Sequence, residues 1–438
     1  MIFPLIQHRY TDGGSMVEQW GLLGPETISS SRRTRSLGIA ASVRRFNDLA
    51  VPGLGGVWFG KQIFLALLGV AVAEYVRTQG KSVQNIQVAN AVEALACWLA
   101  YRSNGWRQDP RLRGHTKLKG KDDFSFRRAS QRNFYVTQPM RMATVQTLPA
   151  LGLVEADSTR FNSFRCSEAG QGLIEEATRA FRPYNRTVLA HLVSWVHGDD
   201  RVDTQALRDA LSPLTPLSEN ARGILREQLV IGGREAPEDK MRRHDALAWV
   251  QMLSSTTVKP VWKERPQMIS LPHWRDLQAG ALFFALRDAA VAVLDTLEKN
   301  IETRGDRCFP LSEELPCSLE ELRQAALRYA GMGHGDPEAA RFAADCSLDD
   351  PRDVLRALVR RDGHVLRLQG DTVRPGPAFR GTPQRRGNEA DEDDAPRPGT
   401  VLLPPHISFR IRDLWLLYHD MEGDLETLLL PKQEEGKA

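Results

Sequence analysis

Long apolar runs are scarce in this chain. The longest, Ile63 to Ala73, spans eleven residues and stops at Glu74, about half of the roughly 20 a membrane-spanning helix needs. No membrane partner is expected on that ground. Cysteine is also sparse: Cys97, Cys166, Cys308, Cys317 and Cys346 are an odd number at irregular spacing, with no Cys-x-x-Cys and no paired histidines nearby. Neither a disulfide framework nor a zinc site is expected, and no cofactor is implied. The stretch Met1 to Gly24 lacks a basic start, an apolar run and a small-residue cleavage step, so no signal peptide is expected and the chain reads as cytoplasmic. An excess of one charge is missing too: 58 Lys and Arg against 55 Asp and Glu leave +3, too little to diagnose a partner.

Catalytic signatures are equally thin. There is no Gly-x-Ser-x-Gly elbow to present a nucleophile. Gly55-Gly-Val-Trp-Phe-Gly-Lys61-Gln62 fits the Gly-x4-Gly-Lys part of a phosphate-binding loop. Trp58 and Phe59 are too bulky to curl around phosphate, however, and Gln62 replaces the hydroxyl that would hold magnesium. A glycine-rich turn before a buried helix is expected instead. His191, His197, Asp199, Asp200 and the His244-Asp245 pair lack the further ligands a metal phosphohydrolase needs. No metal site and no catalytic residue are expected.

What is present is helix. The 438 residues, 42% hydrophobic, suffice for about two to three domains, and apolar residues three and four apart recur throughout. Gln62 to Arg77 is apolar nearly all round and should be buried. Val83 to Tyr101, after Ser82 as N-cap, is expected to pack against it. Later helices are expected at Arg186–His197, Thr204–Leu211, Ser218–Leu229, Asp239–Leu253, Pro272–Thr303, Leu319–Gly331, Pro337–Asp345 and Pro351–Arg361. Gly370 to Thr400, rich in Gly, Pro, Arg and Asp with an acidic run at Glu389–Asp394, reads as a disordered linker. The expected organisation is a helical N-terminal region (1–122), a distinct element (123–182), a helical C-terminal domain (183–369), a linker (370–400) and a docking segment (401–438).

The small net charge hides an uneven distribution. Ser31 to Arg45 carries five basic residues (Arg32, Arg33, Arg35, Arg44, Arg45) and no acid. Arg102 to Arg132 carries ten (Arg102, Arg107, Arg111, Arg113, Lys117, Lys119, Lys121, Arg127, Arg128, Arg132) against Asp109, Asp122 and Asp123. A local excess of this kind is either a solvated loop or a phosphate-contact surface.

Between 123 and 182 the pattern changes. A short strand is expected at Phe134–Val136, then a helix opened by Thr137 with Pro139 in its first turn and closed at Leu151-Gly152. Two short strands follow, Leu153–Ala156 and Phe161–Cys166, joined by Asp157-Ser-Thr-Arg160, and a helix starts at Ser167. The runs Leu148-Pro-Ala-Leu-Gly-Leu-Val-Glu155 and Phe164-Arg-Cys-Ser-Glu-Ala-Gly-Gln-Gly-Leu-Ile-Glu175 resemble the winged-helix modules of MarR- and PadR-type bacterial regulators. The match covers about 40 of the 438 residues. It implies a mainly α protein with an embedded winged helix-turn-helix element and a small β-wing. It also implies DNA as partner, with Gln138, Arg141, Met142, Val145 and Gln146 on the recognition helix and Arg160 and Arg165 on the wing.

The basic stretch would add phosphate contacts from Arg107, Arg111, Arg113, Lys117, Lys119, Lys121, Arg127, Arg128 and Arg132. Trp106, among arginines, is the one tryptophan placed to stack on a base. The expectation is a non-enzymatic DNA-binding subunit of a multi-protein bacterial machine, in chromosome maintenance or in defence against plasmids or phages. The alternatives are a winged-helix regulator with a helical dimerisation domain, and an enzyme with its site among the C-terminal helices.

Overall fold

The computed structural model describes residues 35, 37–255, 260–313, 316–379 and 402–429. Within them the chain is mainly helical, with small sheets. Helices α1 (Ala40–Ala50), α2 (Gly60–Thr78) and α3 (Asn85–Ser103) are followed by the single turns α4 (His115–Leu118) and α5 (Phe126–Ala129), a 3-10 turn at Met140–Thr144, and α6 (Thr147–Ala150). Strands β1 (Val154–Ala156) and β2 (Phe164–Cys166) form an antiparallel ribbon with Glu155 opposite Arg165. Then come α7 (Glu168–Thr178), α8 (Val188–Val196), α9 (Gln205–Leu211), α10 (Glu219–Ile231), α11 (Pro237–Ser254) and α12 (Leu271–Thr303). The remainder is β3 (Phe309–Pro310), α13 (Ser318–Gly331), α14 (Pro337–Cys346), α15 (Pro351–Asp362), β4 (Leu366–Gln369), β5 (Thr372–Pro375), α16 (Phe409–Glu422) and α17 (Leu425–Leu429).

Two apolar cores organise these elements. The first surrounds α2, which is buried on every face from Gly60 to Ala73, as its uninterrupted apolar sequence requires. Packing against α3 is close because Gly69 has no side chain: a Cβ there would lie 2.4 Å from the Ala89 Cα. The second core gathers Phe46 of α1 with one face of α12, α13 to α15 and the sheet β3-β5-β4. Helix α12 joins the two, giving Trp274 and Leu277 to the first and Ala279 to Ile301 to the second. By length and composition it is apolar enough to cross a membrane, but 56% of its most apolar stretch is buried in protein, where those side chains fill the two cores.

Local signals set several helix starts. Ser167, Thr187, Thr204, Ser218, Asp336 and Asp350 each accept a backbone N–H from the first turn of the helix that follows, satisfying a donor that has no intrahelical partner. Helix α3 begins at Asn85 rather than next to Ser82, because its cap is tertiary. The Ile86 N–H donates to Asn162 Oδ1 at 3.0 Å, and Asn85 Nδ2 donates to the Phe161 and Phe164 carbonyls at 3.0 and 2.9 Å. No strand forms at Phe134–Val136, where both aromatic side chains are buried in the first core. The expected linker begins later than Gly370, since β5 pairs with β4 and β3. Its acidic run lies outside the described residues, as do Arg32 and Arg33.

One fully buried guanidinium ties several chain segments together. Arg243 of α11 donates from Nε to the Leu229 carbonyl (2.9 Å), from Nη1 to the Pro52 carbonyl (3.2 Å) and from Nη2 to the Ala150 carbonyl (3.4 Å). The same two terminal nitrogens meet the Glu235 carboxylate at 2.9 and 2.6 Å. The three carbonyls lie near the C-terminal ends of α10 and α6 and just past α1, where helices leave acceptors unpaired. Gly232 lets the chain pass, since a Cβ there would stand 2.4 Å from Nη2. Arg243→Ala should therefore cost about 3–5 kcal/mol of unfolding free energy, because it strands the half-buried Glu235 carboxylate and leaves the Leu229 and Pro52 carbonyls without their donor, while Ala150 keeps the Gly233 N–H. Denaturant unfolding checks this, and a loss below about 1 kcal/mol, the worth of an ordinary exposed ion pair, would show that the knot is not needed.

Candidate nucleic-acid interface

The segment 102–132 is not a loose loop. Leu112, Leu118, Phe124 and Phe126 are all buried in the first core. Phe124 stacks on Trp98 with ring centroids 4.1 Å apart, and its carbonyl accepts from Trp195 Nε1 at 2.8 Å. The intervening cations are thus presented on a fixed backbone. Arg107, Lys117, Lys119, Arg127, Arg128 and Arg132 are exposed, whereas Arg113 and Lys121 are half-buried. Lys121 lies over the Phe134 ring at 4.6 Å. Arg128 reaches Asp123 at 3.7 Å and Arg102 reaches Asp203 at 2.8 Å. Arg107, Lys119, Arg127 and Arg132 have no carboxylate partner among the described residues.

Arg111 does not belong to this surface. Only 6% exposed, it grips Asp109 through Nε and Nη2 at 3.0 and 2.8 Å and reaches the Leu214 carbonyl at 3.4 Å. A guanidinium already neutralised and buried cannot meet a phosphate without breaking that pair.

The stretch expected as one helix from Thr137 to Leu151 is in two pieces, and the reason is a buried carboxylate. Glu93 of α3 accepts the Met140 and Arg141 N–H groups at 2.7 and 3.0 Å, fixing where the 3-10 turn begins. Burial pushes the Glu93 carboxyl up to about 7, against the pull of those two N–H groups. At the other end of the turn, the Ala143 carbonyl accepts Gly56 N–H at 3.3 Å and Thr147 Oγ1 turns to the Leu54 carbonyl at 2.7 Å. Pro149 then falls in the first turn of α6, where a missing N–H is harmless.

Arg141, expected to reach a base or phosphate, points inward instead. Its Nε donates to Asn90 Oδ1 and its guanidinium lies 5.4 Å from the Phe161 ring centre. Thr137, Met142 and Gln146 are exposed on this stretch, Met142 by 52%, and Gln138 and Val145 are half-buried. The Gln146 side-chain oxygen accepts from Arg410 at 3.0 Å. On the ribbon, Arg165 holds Asp157 at 2.8 and 3.2 Å and approaches Glu155 at 3.9 Å. That leaves Arg160, exposed at the tip, as the ribbon's unpaired cation among the described residues.

The other motifs resolve into packing. Lys61 is 3% exposed, and its Nζ donates to the Ala210 carbonyl at 2.6 Å while Gly60 N–H donates to Asp420 at 2.7 Å. Gln62 accepts from Trp58 N–H at 2.8 Å. The glycine-rich turn before α2 is therefore filled by protein. Burial pushes Lys61 from its ordinary 10.5 down to about 7, although Asp420 and Asp209 pull it back. Among the described residues no cluster of metal-ligating side chains occurs.

One further constellation has no local signal in the sequence, because Ser254 lies far along the chain from His419 and Asp424. His419 Nδ1 faces both oxygens of Asp424 at 2.9 and 3.0 Å, and its Nε2 faces Ser254 Oγ at 3.0 Å. These are spacings of a nucleophilic triad. Ser254 is the last residue of α11, however, and its hydroxyl donates to the Val250 carbonyl at 2.9 Å. The carbonyl end of a helix opposes the negative charge that an oxyanion would develop. The trio is a latch holding the α16–α17 turn to α11.

Two outcomes check these assignments. The unfolded chain binds a proton at Lys61 that the folded chain has released between pH 10.5 and about 7, so this residue raises stability as pH increases through that window. The difference in unfolding free energy between wild type and Lys61→Met should carry that slope, and a difference independent of pH would contradict it. A fluorophosphonate should leave Ser254 unmodified, and stoichiometric labelling there would overturn its assignment as a latch. No family model, curated protein or solved structure matches this chain.

Proposed function

We propose that this protein binds DNA through the basic segment 102–132, helped by Arg160 at the ribbon tip, as a non-enzymatic subunit of a larger DNA-associated assembly. The observation that carries the reading is a set of exposed cations without carboxylate partners among the described residues (Arg107, Lys119, Arg127 and Arg132), standing on a segment anchored by buried aromatics. Cations carried on an anchored backbone need not order that backbone to meet a phosphate, and each phosphate neutralised releases condensed counterions. The outer edge of the 137–150 stretch, with Met142 and Gln146 exposed and Gln138 and Val145 half-buried beside them, is the surface from which base edges would be read. The resemblance to winged-helix modules supports the same partner, and the inward turn of Arg141 shifts the weight of binding from that helix to the basic segment.

Binding to a labelled duplex, titrated across salt concentrations, tests the reading. The logarithm of affinity should fall linearly with the logarithm of salt concentration. The triple variant Lys119→Ala, Arg127→Ala, Arg132→Ala should lower that slope by about 2–3, close to 0.9 per lost phosphate contact, and weaken all sequences alike. Arg141→Ala should reduce binding only by loosening the fold. Affinity indifferent to salt, or unchanged in the triple variant, would refute the proposal.

A further inference from the structure

Trp106 is held in a conformation that residues with a Cβ rarely adopt. Its φ is 61°, directly after Gly105 at 69°, so two successive left-handed residues follow the end of α3. Three contacts hold it there. The Trp106 N–H donates to the Tyr101 carbonyl at 2.8 Å, the His115 Nε2 meets the Trp106 carbonyl at 3.1 Å, and the indole lies 3° from parallel to the Tyr101 ring with centroids 5.3 Å apart. His115 itself stands edge-on to the indole at 6.0 Å. One face of the indole is therefore covered by tyrosine.

Trp106 is half-buried, part of it packed against the first core, and among the described residues Tyr101 is the ring that stacks parallel to it and no acceptor meets its indole N–H. Other tryptophans are committed differently. Trp98, Trp195 and Trp262 each donate the indole N–H to a carbonyl, and Trp58, Trp249, Trp274 and Trp415 are buried. Two exposed cations are close to Trp106 along the chain or through α4: Arg107 follows it directly, and Lys119 lies just past α4, the turn that His115 pins to the Trp106 carbonyl.

We propose that the exposed part of the Trp106 indole is a stacking platform for an unpaired nucleobase of a DNA strand, with the flanking phosphates met by Arg107 and Lys119. A flat π surface backed by a second parallel ring accepts any base face, and nearby cations track the backbone, which is the chemistry of single-strand binding. Strain maintained at one residue by three separate contacts is the mark of a side chain kept in a required orientation. The inference rests on the nucleic-acid reading of segment 102–132 and adds to it the state of the strand.

The test uses the full chain with three labelled ligands at one salt concentration: a short oligothymidylate, an abasic strand of equal length and charge, and a blunt duplex. Wild type should prefer the oligothymidylate to the abasic strand by about 5- to 100-fold, the range that one stacked base supplies. Trp106→Ala should bring that ratio close to one and Trp106→Phe should keep most of it, with abasic and duplex affinities unchanged in both variants. A ratio that survives Trp106→Ala, or equal losses on all three ligands, overturns the platform. Duplex binding with no preference for bases over abasic sites overturns the platform alone, whereas no binding to any ligand overturns the nucleic-acid reading as well.

Discussion

The described structure depends on how buried charges satisfy backbone groups left over at helix ends. Arg243 is the fullest case, with all five of its N–H donors used on three carbonyls and one carboxylate. It holds the ends of α10 and α6 and the chain after α1 in one place, so the start of the β-ribbon is fixed relative to α11. Glu93 does the complementary work with its two oxygens on the Met140 and Arg141 N–H groups. Between them these two side chains determine where the 137–150 stretch begins and ends. Replacing either by an apolar group leaves several backbone partners unpaired together.

That constraint explains why the proposed interface lies where it does. Clamped from both sides, the 137–150 stretch turns Arg141 inward onto Asn90 and Phe161, and the ribbon neutralises Arg165 with Asp157. Of the cations expected to meet DNA, those left exposed without a carboxylate partner among the described residues are Arg107, Lys119, Arg127 and Arg132 of segment 102–132 and Arg160 at the ribbon tip. The segment's support is aromatic, through Phe124 on Trp98 and Lys121 over Phe134, so the backbone that carries the charge is held in place. The proposed Trp106 platform lies within the same segment, so stacking and phosphate contact would come from one stretch of chain.

Much of the helical architecture was legible because its signals are local. Thr204, Ser218 and Asp336 mark helix starts by side chains that reach only three residues ahead, and the all-apolar run after Gly60 announces a buried helix. The ribbon and its closing helix at Ser167 were equally readable. What escaped were features made by distant partners. Phe309 pairs with Val373 across the whole α13–α15 region, and Gly- and Pro-rich sequence there reads as linker. Arg243 sits in Met241-Arg-Arg-His-Asp245, which by charge alone looks like a solvated helix face. Arg111 and Arg141 carry the same charge as their exposed neighbours, and nothing in their spacing reveals Asp109 or Asn90 as the partner that removes them from the surface.

Photocrosslinking of the full chain to duplex DNA, followed by mass spectrometry of the crosslinked peptides, tests the central claim most directly. The account predicts crosslinks concentrated in segment 102–132 and at the ribbon tip around Arg160, with fewer along 137–146. Crosslinks confined to α10 and α11, or none under conditions where DNA is bound, would contradict it.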